Sequence, residues 1–251
     1  MNITNKVAFV TGGSGDIGGA ICRALAVAGA DVAVSYVGHA EGAAATVAAV
    51  QAAGRRAAAI QLDQRDPSSI DASVGSVLQR FGRLDILVNN AAWNIGIAFP
   101  DLDTLTADVW DRVQDTNLRG PYLLARAFGP HLRANHAGRI VNIASVAGLY
   151  PGGSSIAYAA SKAGLIHLTR CLAVALAPDV TVNCIAPGLV EGTRMAQRLP
   201  TEQADSARHQ AVLGRTASAE DIANQVVTFC RAESVTGQVL VIDGGMRGSM
   251  H

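Results

Sequence analysis

Short runs of β-branched and apolar residues alternate along this chain with longer stretches rich in alanine and leucine. The runs are Val7–Val10, Val32–Tyr36, Ala57–Leu62, Leu84–Val88, Arg139–Ile143, Val180–Ile185 and Gln238–Ile242. Between them lie stretches that read as helices over 17–28, 40–53, 67–81, 107–135, 157–177 and 219–230. A strand that is apolar at nearly every position is buried on both faces, as in a parallel sheet. Parallel neighbours need a crossover, and an intervening helix supplies it with the usual right hand. The expected fold is therefore α/β, a doubly wound parallel sheet with helices on both faces.

Composition agrees with one large core. Hydrophobic residues make up 49% of the 251 positions and charged residues 16%. No shift in composition and no linker-like tract divides the chain, so residues 1–251 read as a single domain. The polar segment from Glu191 to about Arg215 breaks the rhythm after a strand end, and a substrate lid is expected at about 189–213. Twenty basic and twenty acidic residues balance without a run of one sign, which disfavours nucleic acid and anionic membranes as partners. No uninterrupted apolar run reaches the roughly 18 residues of a membrane span. The N-terminus leads straight into the first strand, so no signal peptide is expected. The four cysteines are scattered without metal-ligand spacing, and the six histidines do not cluster. A reduced, cytoplasmic, metal-free protein is the expectation.

The chemistry concentrates at the expected strand ends. The first strand runs into Thr11-Gly12-Gly13-Ser14-Gly15-Asp16-Ile17-Gly18 and then a helix. A glycine-rich turn there lets backbone N–H groups approach a pyrophosphate, which a helix N-terminus favours; close helix–strand packing would require the same glycines. Asp63 closes the third strand. It suits the amino group of an adenine, and equally a turn or helix cap. Asn89-Asn90-Ala91-Ala92 closes the fourth strand, where small residues admit a ribose to the backbone. Pro187-Gly188 closes the sixth and can bracket a nicotinamide ring. Tyr158 and Lys162, four apart on one helix, share a face. A phenol with a pKa of about 10 moves protons poorly at neutral pH. An ammonium ~4 Å away at an effective dielectric of ~20 favours the phenolate by roughly 4 kcal/mol, which brings the phenol down by about 3 pH units. So tuned, Tyr158 suits general acid–base work on a carbonyl or alcohol.

Taken together, the glycine-rich turn, Asp63, Asn89-Asn90-Ala91, Asn117, Ser145, Tyr158-x-x-x-Lys162, Pro187-Gly188 and Asp243-Gly244-Gly245 resemble the short-chain dehydrogenase/reductase family of classical type. The likeness runs from about residue 5 to residue 245. It implies a Rossmann-like seven-stranded sheet, a nicotinamide cofactor, and a homotetramer or dimer packed through the helices near 107–135 and 157–177. The resemblance makes Tyr158 the general acid or base. Lys162 would lower the phenol pKa and bind the nicotinamide ribose, and Ser145 would donate to the substrate oxygen. Asn117 would hold a water that links Lys162 to solvent; a local structural amide is the other reading. Gly12, Ser14, Asp16, Ile17, Gly18, Ser35, Tyr36, Asp63, Asn90, Ala91, Pro187, Gly188, Val190 and Thr193 would line the cofactor, together with Tyr158 and Lys162. Ala92, Trp93, Asn94, Ser145, Leu149 and Tyr150 would line the substrate pocket, which suits a medium-sized apolar or ring-bearing ketone.

Several positions depart from the family pattern. Asp16 stands where a glycine is usual, and a first-turn carboxylate there favours the helix dipole if it turns from the pyrophosphate. Ala92 replaces another glycine. Thr193 comes one residue later than the carboxamide-binding threonine. Members that prefer NAD carry an acid at the end of the second strand, where this chain has Tyr36, flanked by Ser35, Val37 and His39. The absence of that acid leans toward NADP(H) over NAD(H), although Gly15 replaces an arginine common in NADP users. The expected activity is hydride transfer between a ketone and a secondary alcohol. A 3-oxoacyl-acyl-carrier-protein reductase is the alternative, with Arg126, Arg133 and Arg170 near in sequence and Val174 where that subgroup often has arginine. A non-catalytic nucleotide sensor or scaffold is disfavoured, because Tyr158 and Lys162 are both present.

Overall fold

A computed structural model describes residues 1–134, 136–194, 196–198 and 201–248. Seven strands form one parallel sheet: β1 Val7–Val10, β2 Asp31–Tyr36, β3 Ala57–Gln61, β4 Ile86–Asn89, β5 Gly138–Ile143, β6 Val180–Pro187 and β7 Val239–Ile242. Their spatial order is β3-β2-β1-β4-β5-β6-β7. Every pairing is parallel, from Val7 opposite Asp31 to Pro187 opposite Ile242.

Alternate side chains of a strand face opposite sides, and both sides are covered here. Ala8, Val10, Val32, Val34, Ile86 and Val88 enter one core with Ile21 and Leu25 of α1 (Asp16–Val27) and Ile222 and Val226 of α8 (Ala219–Arg231). The intervening Val7, Phe9, Ala33 and Leu87 enter the other, against Ile70 and Val77 of α3 (Pro67–Phe81) and Leu124 and Phe128 of α5 (Gly120–Arg133). Leu172 and Leu176 of α6 (Ile156–Leu176) join that second core. The phenyl rings of Phe9 and Phe128 lie 5.1 Å apart between sheet and helix. This two-sided burial is what continuous apolar strands require. The remaining helices are α2 (Ala40–Ala52), α4 (Ala107–Gln114) and α7 (Thr201–Gln210).

Local signals set the helix ends. Asp66 accepts from the Ser68 amide, Pro67 opens α3, and Gly82 ends it in the left-handed region, as capping chemistry favours. Ser155 is fully buried and its hydroxyl accepts from the Tyr158 amide at 3.2 Å. The cap of α6 thus sets the first turn that carries the tyrosine. With 21 residues, and a mean hydropathy of 1.2 over an 18-residue stretch, α6 has the length and composition of a membrane span. Its inner face is instead packed into the fold, with Ser161, Lys162 and Thr169 on it.

Two elements differ from the sequence expectation. The helix expected over 107–135 is α4 and α5 joined by a π-helical turn, Asp115–Arg119; Asn135 lies outside the described residues. The expected lid holds α7 and a short turn at Ala196–Arg198. The α7 sequence TEQADSARHQ has no apolar stripe, so periodicity does not reveal it. Residues 195, 199 and 200 of the lid lie outside the described residues.

Candidate active site

The chain order of the sheet reverses between β1 and β4, and ligands of open α/β sheets bind beyond the carboxyl ends at such a point. The glycine-rich turn stands there. Gly12 has a φ of +64°, and a Cβ on Gly18 would fall 2.2 Å from the Gly12 carbonyl oxygen. Only glycine allows α1 to begin this close to the strand end. Gly15 caps α1 without any side-chain bond to its first amides, which leaves the positive end of the helix to an anion. This turn fits the dinucleotide cofactor implied by the sequence.

β4 supports the turn from beneath. The Asn90 side-chain amide donates to the carbonyl oxygens of Thr11 at 2.9 Å and Gly12 at 3.3 Å. The amides of Asn90 and Ala91 both donate to the Thr11 hydroxyl at 2.9 Å. Asn90, expected to meet the cofactor, thus holds the turn in shape. Asp16, in the first turn of α1, accepts from the Arg194 amide at 2.8 Å. His39 binds the Ser14 carbonyl through Nδ1 at 3.1 Å, which ties the start of α2 to the same turn.

A cavity of about 190 Å³ opens between the ends of β2, β3 and β4, lined by Gly12, Ser35, Tyr36, Val37, Asp63, Ala91, Ala92 and Trp93. Sequence reasoning missed Gln64, Arg65, Arg112 and Thr116, which also line it. Arg65 grips Asp63 with two bonds, Nε to Oδ1 at 3.0 Å and Nη2 to Oδ2 at 2.6 Å. These bonds hold the Asp63 carboxyl below its ordinary pKa. The Arg65 backbone amide donates to Asp63 Oδ1 as well, so Asp63 is a turn carboxylate and a cavity wall together. Trp93 lines this cavity, with the Arg112 guanidinium 4.2 Å from its ring centre.

The catalytic candidates converge beyond β5. Ser145 has extended backbone and its Oγ accepts from the Ala147 amide, capping a short turn at Val146–Gly148. That turn lies directly on α6: a Cβ on Gly148 would stand 2.6 Å from the Lys162 carbonyl carbon. Ser145 is thereby brought near the Tyr158 phenol, and its hydroxyl donates to the Pro187 carbonyl of β6 at 3.4 Å. Lys162, 2% exposed, donates from Nζ to the Ile143 carbonyl at 2.8 Å. Its Nζ lies 5.6 Å from the centre of the Tyr158 ring.

The electrostatics differ from the sequence argument. Burial raises the Tyr158 phenol above its ordinary value, and the neighbouring Ser145 hydroxyl opposes that rise only in part. Burial also brings Lys162 down to about 8. The cost of placing a phenolate in a low-dielectric cleft is the larger effect, and Lys162 Nζ is directed to the Ile143 carbonyl. In the protein alone, Tyr158 is held in its proton-bearing form.

Other expected residues have local duties. Asn117, on the π-helical turn, accepts from the Trp93 amide at 2.8 Å and donates to the Trp93 carbonyl at 2.9 Å and the Ser161 hydroxyl at 3.1 Å. These bonds are long-range rather than local, and they join the π-helical turn to the Trp93 segment and to α6. The Thr193 hydroxyl donates to the Val190 carbonyl and accepts from the Ala196 amide. It caps a local turn, and Val190 pairs with Ala217. The Gly188 amide donates to Ile242 and extends the β6–β7 ladder. Leu149 packs on Ala144, Leu165, Ile166 and Cys184. The Tyr150 hydroxyl lies 3.9 Å from the Met246 sulfur, so the chain's C-terminal segment reaches this wall. No group of three metal-ligating side chains occurs among the described residues.

Comparisons with known proteins agree with this arrangement. The model of the short chain dehydrogenase family matches residues 6–204. The chain is 37% identical to the 3-oxoacyl-acyl-carrier-protein reductase FabG of Staphylococcus aureus, over 96% of this chain and 98% of the relative. It is also 37% identical to the hydroxy(phenyl)methylsuccinyl-CoA dehydrogenase subunit BbsD of Thauera aromatica, covering 98% of each. A short chain dehydrogenase of Burkholderia cenocepacia, solved in complex with NADP, superposes with a TM-score of 0.89 at 40% identity, over 98% of this chain and all of that one. An NAD-bound xylitol dehydrogenase gives a TM-score of 0.91 at 28% identity, over 98% and 100%. The chain therefore belongs to the short chain dehydrogenase family and is an NAD(P)-dependent oxidoreductase that interconverts a ketone and a secondary alcohol.

Proposed function

We propose that this enzyme works with NADP(H) on a medium-sized ketone or its alcohol, with Tyr158 as the proton-transferring residue. The observation that carries the reading is the convergence of half-buried Ser145 with buried Tyr158 and Lys162 at the end of β5. The cofactor, when bound, gives or takes the hydride. Ser145 donates to the substrate oxygen and stabilises the charge that develops there. Tyr158, held protonated by its surroundings, delivers a proton to that oxygen in reduction; in oxidation its phenolate form takes the proton from the alcohol. Lys162 lies one turn behind and favours the phenolate that remains. Asn117 keeps the Trp93 segment and α6 in register around this group.

The first turn of α1, with Gly12 through Gly18, would hold the pyrophosphate. The cavity at the ends of β2 and β3 would take the adenosine, Asp63 facing the adenine and Ser35 and Tyr36 the ribose. Arg65 and Arg112 against Asp63 leave a net positive lining, which favours a 2′-phosphate and hence NADP(H). Pro187, Gly188 and Val190 would flank the nicotinamide. Ala92, Asn94, Leu149 and Tyr150 would face the substrate.

We read the chain as one domain acting in the cytoplasm, with the lid over its site. A homo-oligomer is supported by apolar side chains left on the surface of the long helices, Tyr122 on α5 and Val174 on α6. The second reading, reduction of an acyl thioester, draws on the names of FabG and BbsD. For acyl-carrier docking, Arg126 and Arg170 are exposed, while Arg133 is bound to the Ala175 carbonyl.

Tyr158→Phe tests the mechanism. Ketone reduction, followed by NADPH absorbance across a carbonyl panel, should fall by about a thousandfold, with NADPH affinity within twofold of the parent. Undiminished turnover in that variant overturns the assignment.

A further inference from the structure

We infer that Arg194 of the lid is a pyrophosphate-binding residue and that Asp16 holds it in position over the glycine-rich turn. This rests on the dinucleotide reading of the site and names a contact that reading lacks. Asp16 and Arg194 are 178 residues apart in sequence, yet two interactions join them. The Arg194 backbone amide donates to Asp16 Oδ2 at 2.8 Å, and its Nε lies 3.5 Å from the same oxygen. The tighter of the two uses the main chain. The lid backbone is therefore fixed by Asp16 while most guanidinium donors stay available. An arginine has five such donors in a planar fork that matches phosphate oxygens.

The position of that fork is the second observation. Arg194 Nη2 lies 3.6 Å from where a Cβ on Gly15 would be. The cation thus stands directly over the turn whose amides begin α1, and those amides have no side-chain cap. The pair is half exposed, with 56% of the Arg194 side chain and 39% of the Asp16 side chain open to solvent. Exposed ion pairs add little to stability, so a purely stabilising role does not account for the arrangement.

Charge explains why the two residues belong together. A carboxylate on the first turn of α1 favours the helix dipole but repels a pyrophosphate. With the guanidinium beside it, the Asp16 charge is neutralised and a cation is presented to the phosphates. The lid is then drawn to the turn by one carboxylate contact before the dinucleotide arrives and by phosphate contacts after. Arg194 would act equally on NADH and NADPH, since both carry the same pyrophosphate.

The test is a set of fluorescence titrations of the full-length protein with NADH and with NADPH, using the parent, Arg194→Gln, and Arg194→Gln combined with Asp16→Gly. Melting temperatures without cofactor check that each variant folds. Arg194→Gln should weaken both cofactors by at least tenfold and by the same factor. Adding Asp16→Gly should restore both to within about threefold of the parent, because the unneutralised carboxylate is gone. If Arg194→Gln binds both within twofold of the parent, the inference is wrong. If it weakens binding but Asp16→Gly does not restore it, the partnership with Asp16 is wrong. A parent protein that binds neither dinucleotide would instead overturn the underlying reading.

Discussion

Lys162 is needed for the chemistry proposed here and should be a burden on the fold. The residue is 2% exposed, and burial brings its ammonium down to about 8 from an ordinary 10.5. The two values differ by about 2.5, and at about 1.4 kcal/mol per pKa unit this opposes folding by about 3 kcal/mol wherever both states are protonated. The sign follows from proton counts. Between pH 8 and 10.5 the unfolded chain binds more protons at this site, so stability rises with pH there. Below 8 the full penalty applies; above 10.5 it is gone. Lys162→Met keeps the length of the side chain and removes the charge. It also removes the bond to Ile143, which subtracts about 1 kcal/mol. The net gain at pH 7 is about 2 kcal/mol, a rise in melting temperature of roughly 4–8 °C for a chain of this size. Calorimetry of parent and variant from pH 6 to 10.5 checks both the size and the pH dependence. A variant less stable than the parent at pH 7, or a difference that does not shrink above pH 8, would refute the reasoning. Turnover should be lost in the same variant, a trade between stability and activity at one side chain.

Other consequences are open to similar checks. Arg65→Ala should weaken NADPH about tenfold more than NADH in fluorescence titrations; equal weakening would remove Arg65 from recognition of the 2′-phosphate. Gly148→Ala drives a methyl into the backbone of α6 at Lys162. It should destabilise the protein by roughly 2 kcal/mol in urea unfolding, with reduced turnover because Ser145 shifts with its turn. Asn117→Asp removes the donors that meet Trp93 and Ser161 and leaves a buried carbonyl unpaired. A loss of about 2 kcal/mol is expected, and an unchanged urea midpoint would show that the amide is dispensable to the fold.

Much of the fold could be read from residues whose pattern is local. Continuous apolar runs such as Val7–Val10 mark strands buried on both faces, and the strand and core-helix ends fall within about two residues of the expectation. The π-helical turn at Asp115–Arg119 was hidden because the apolar pattern on either side is helical in both descriptions. The helix α7 was hidden because its residues meet solvent on most sides. At the site, the glycine-rich turn carried the signal for Gly12 and Gly18, the four-residue spacing that for Tyr158 and Lys162, and the family resemblance that for Ser145. The proton energetics did not follow from spacing, since they depend on how deeply α6 sinks Tyr158 and Lys162 into the cleft. Arg65, Arg112 and Arg194 had no motif at all. A single arginine becomes a cavity wall or a lid contact only through folding, although Arg65 stands two residues beyond Asp63 and that spacing invited a closer look.

The π-helical turn between α4 and α5 also sets a phase. Each residue of a regular helix advances the side-chain direction by about 100°, so one residue more or less rotates everything downstream. On its near side, Gln114 of α4 donates to the Ala157 carbonyl at the start of α6. On its far side, Leu124, Phe128 and Leu132 of α5 fill the core under the sheet. A chain shortened by one residue at this turn could wind a smoother helix, but it could not present Gln114 and Phe128 to their partners together. The turn therefore works as an angular spacer, and the segment between α4 and α5 should tolerate substitutions on its outer face far better than any change in length.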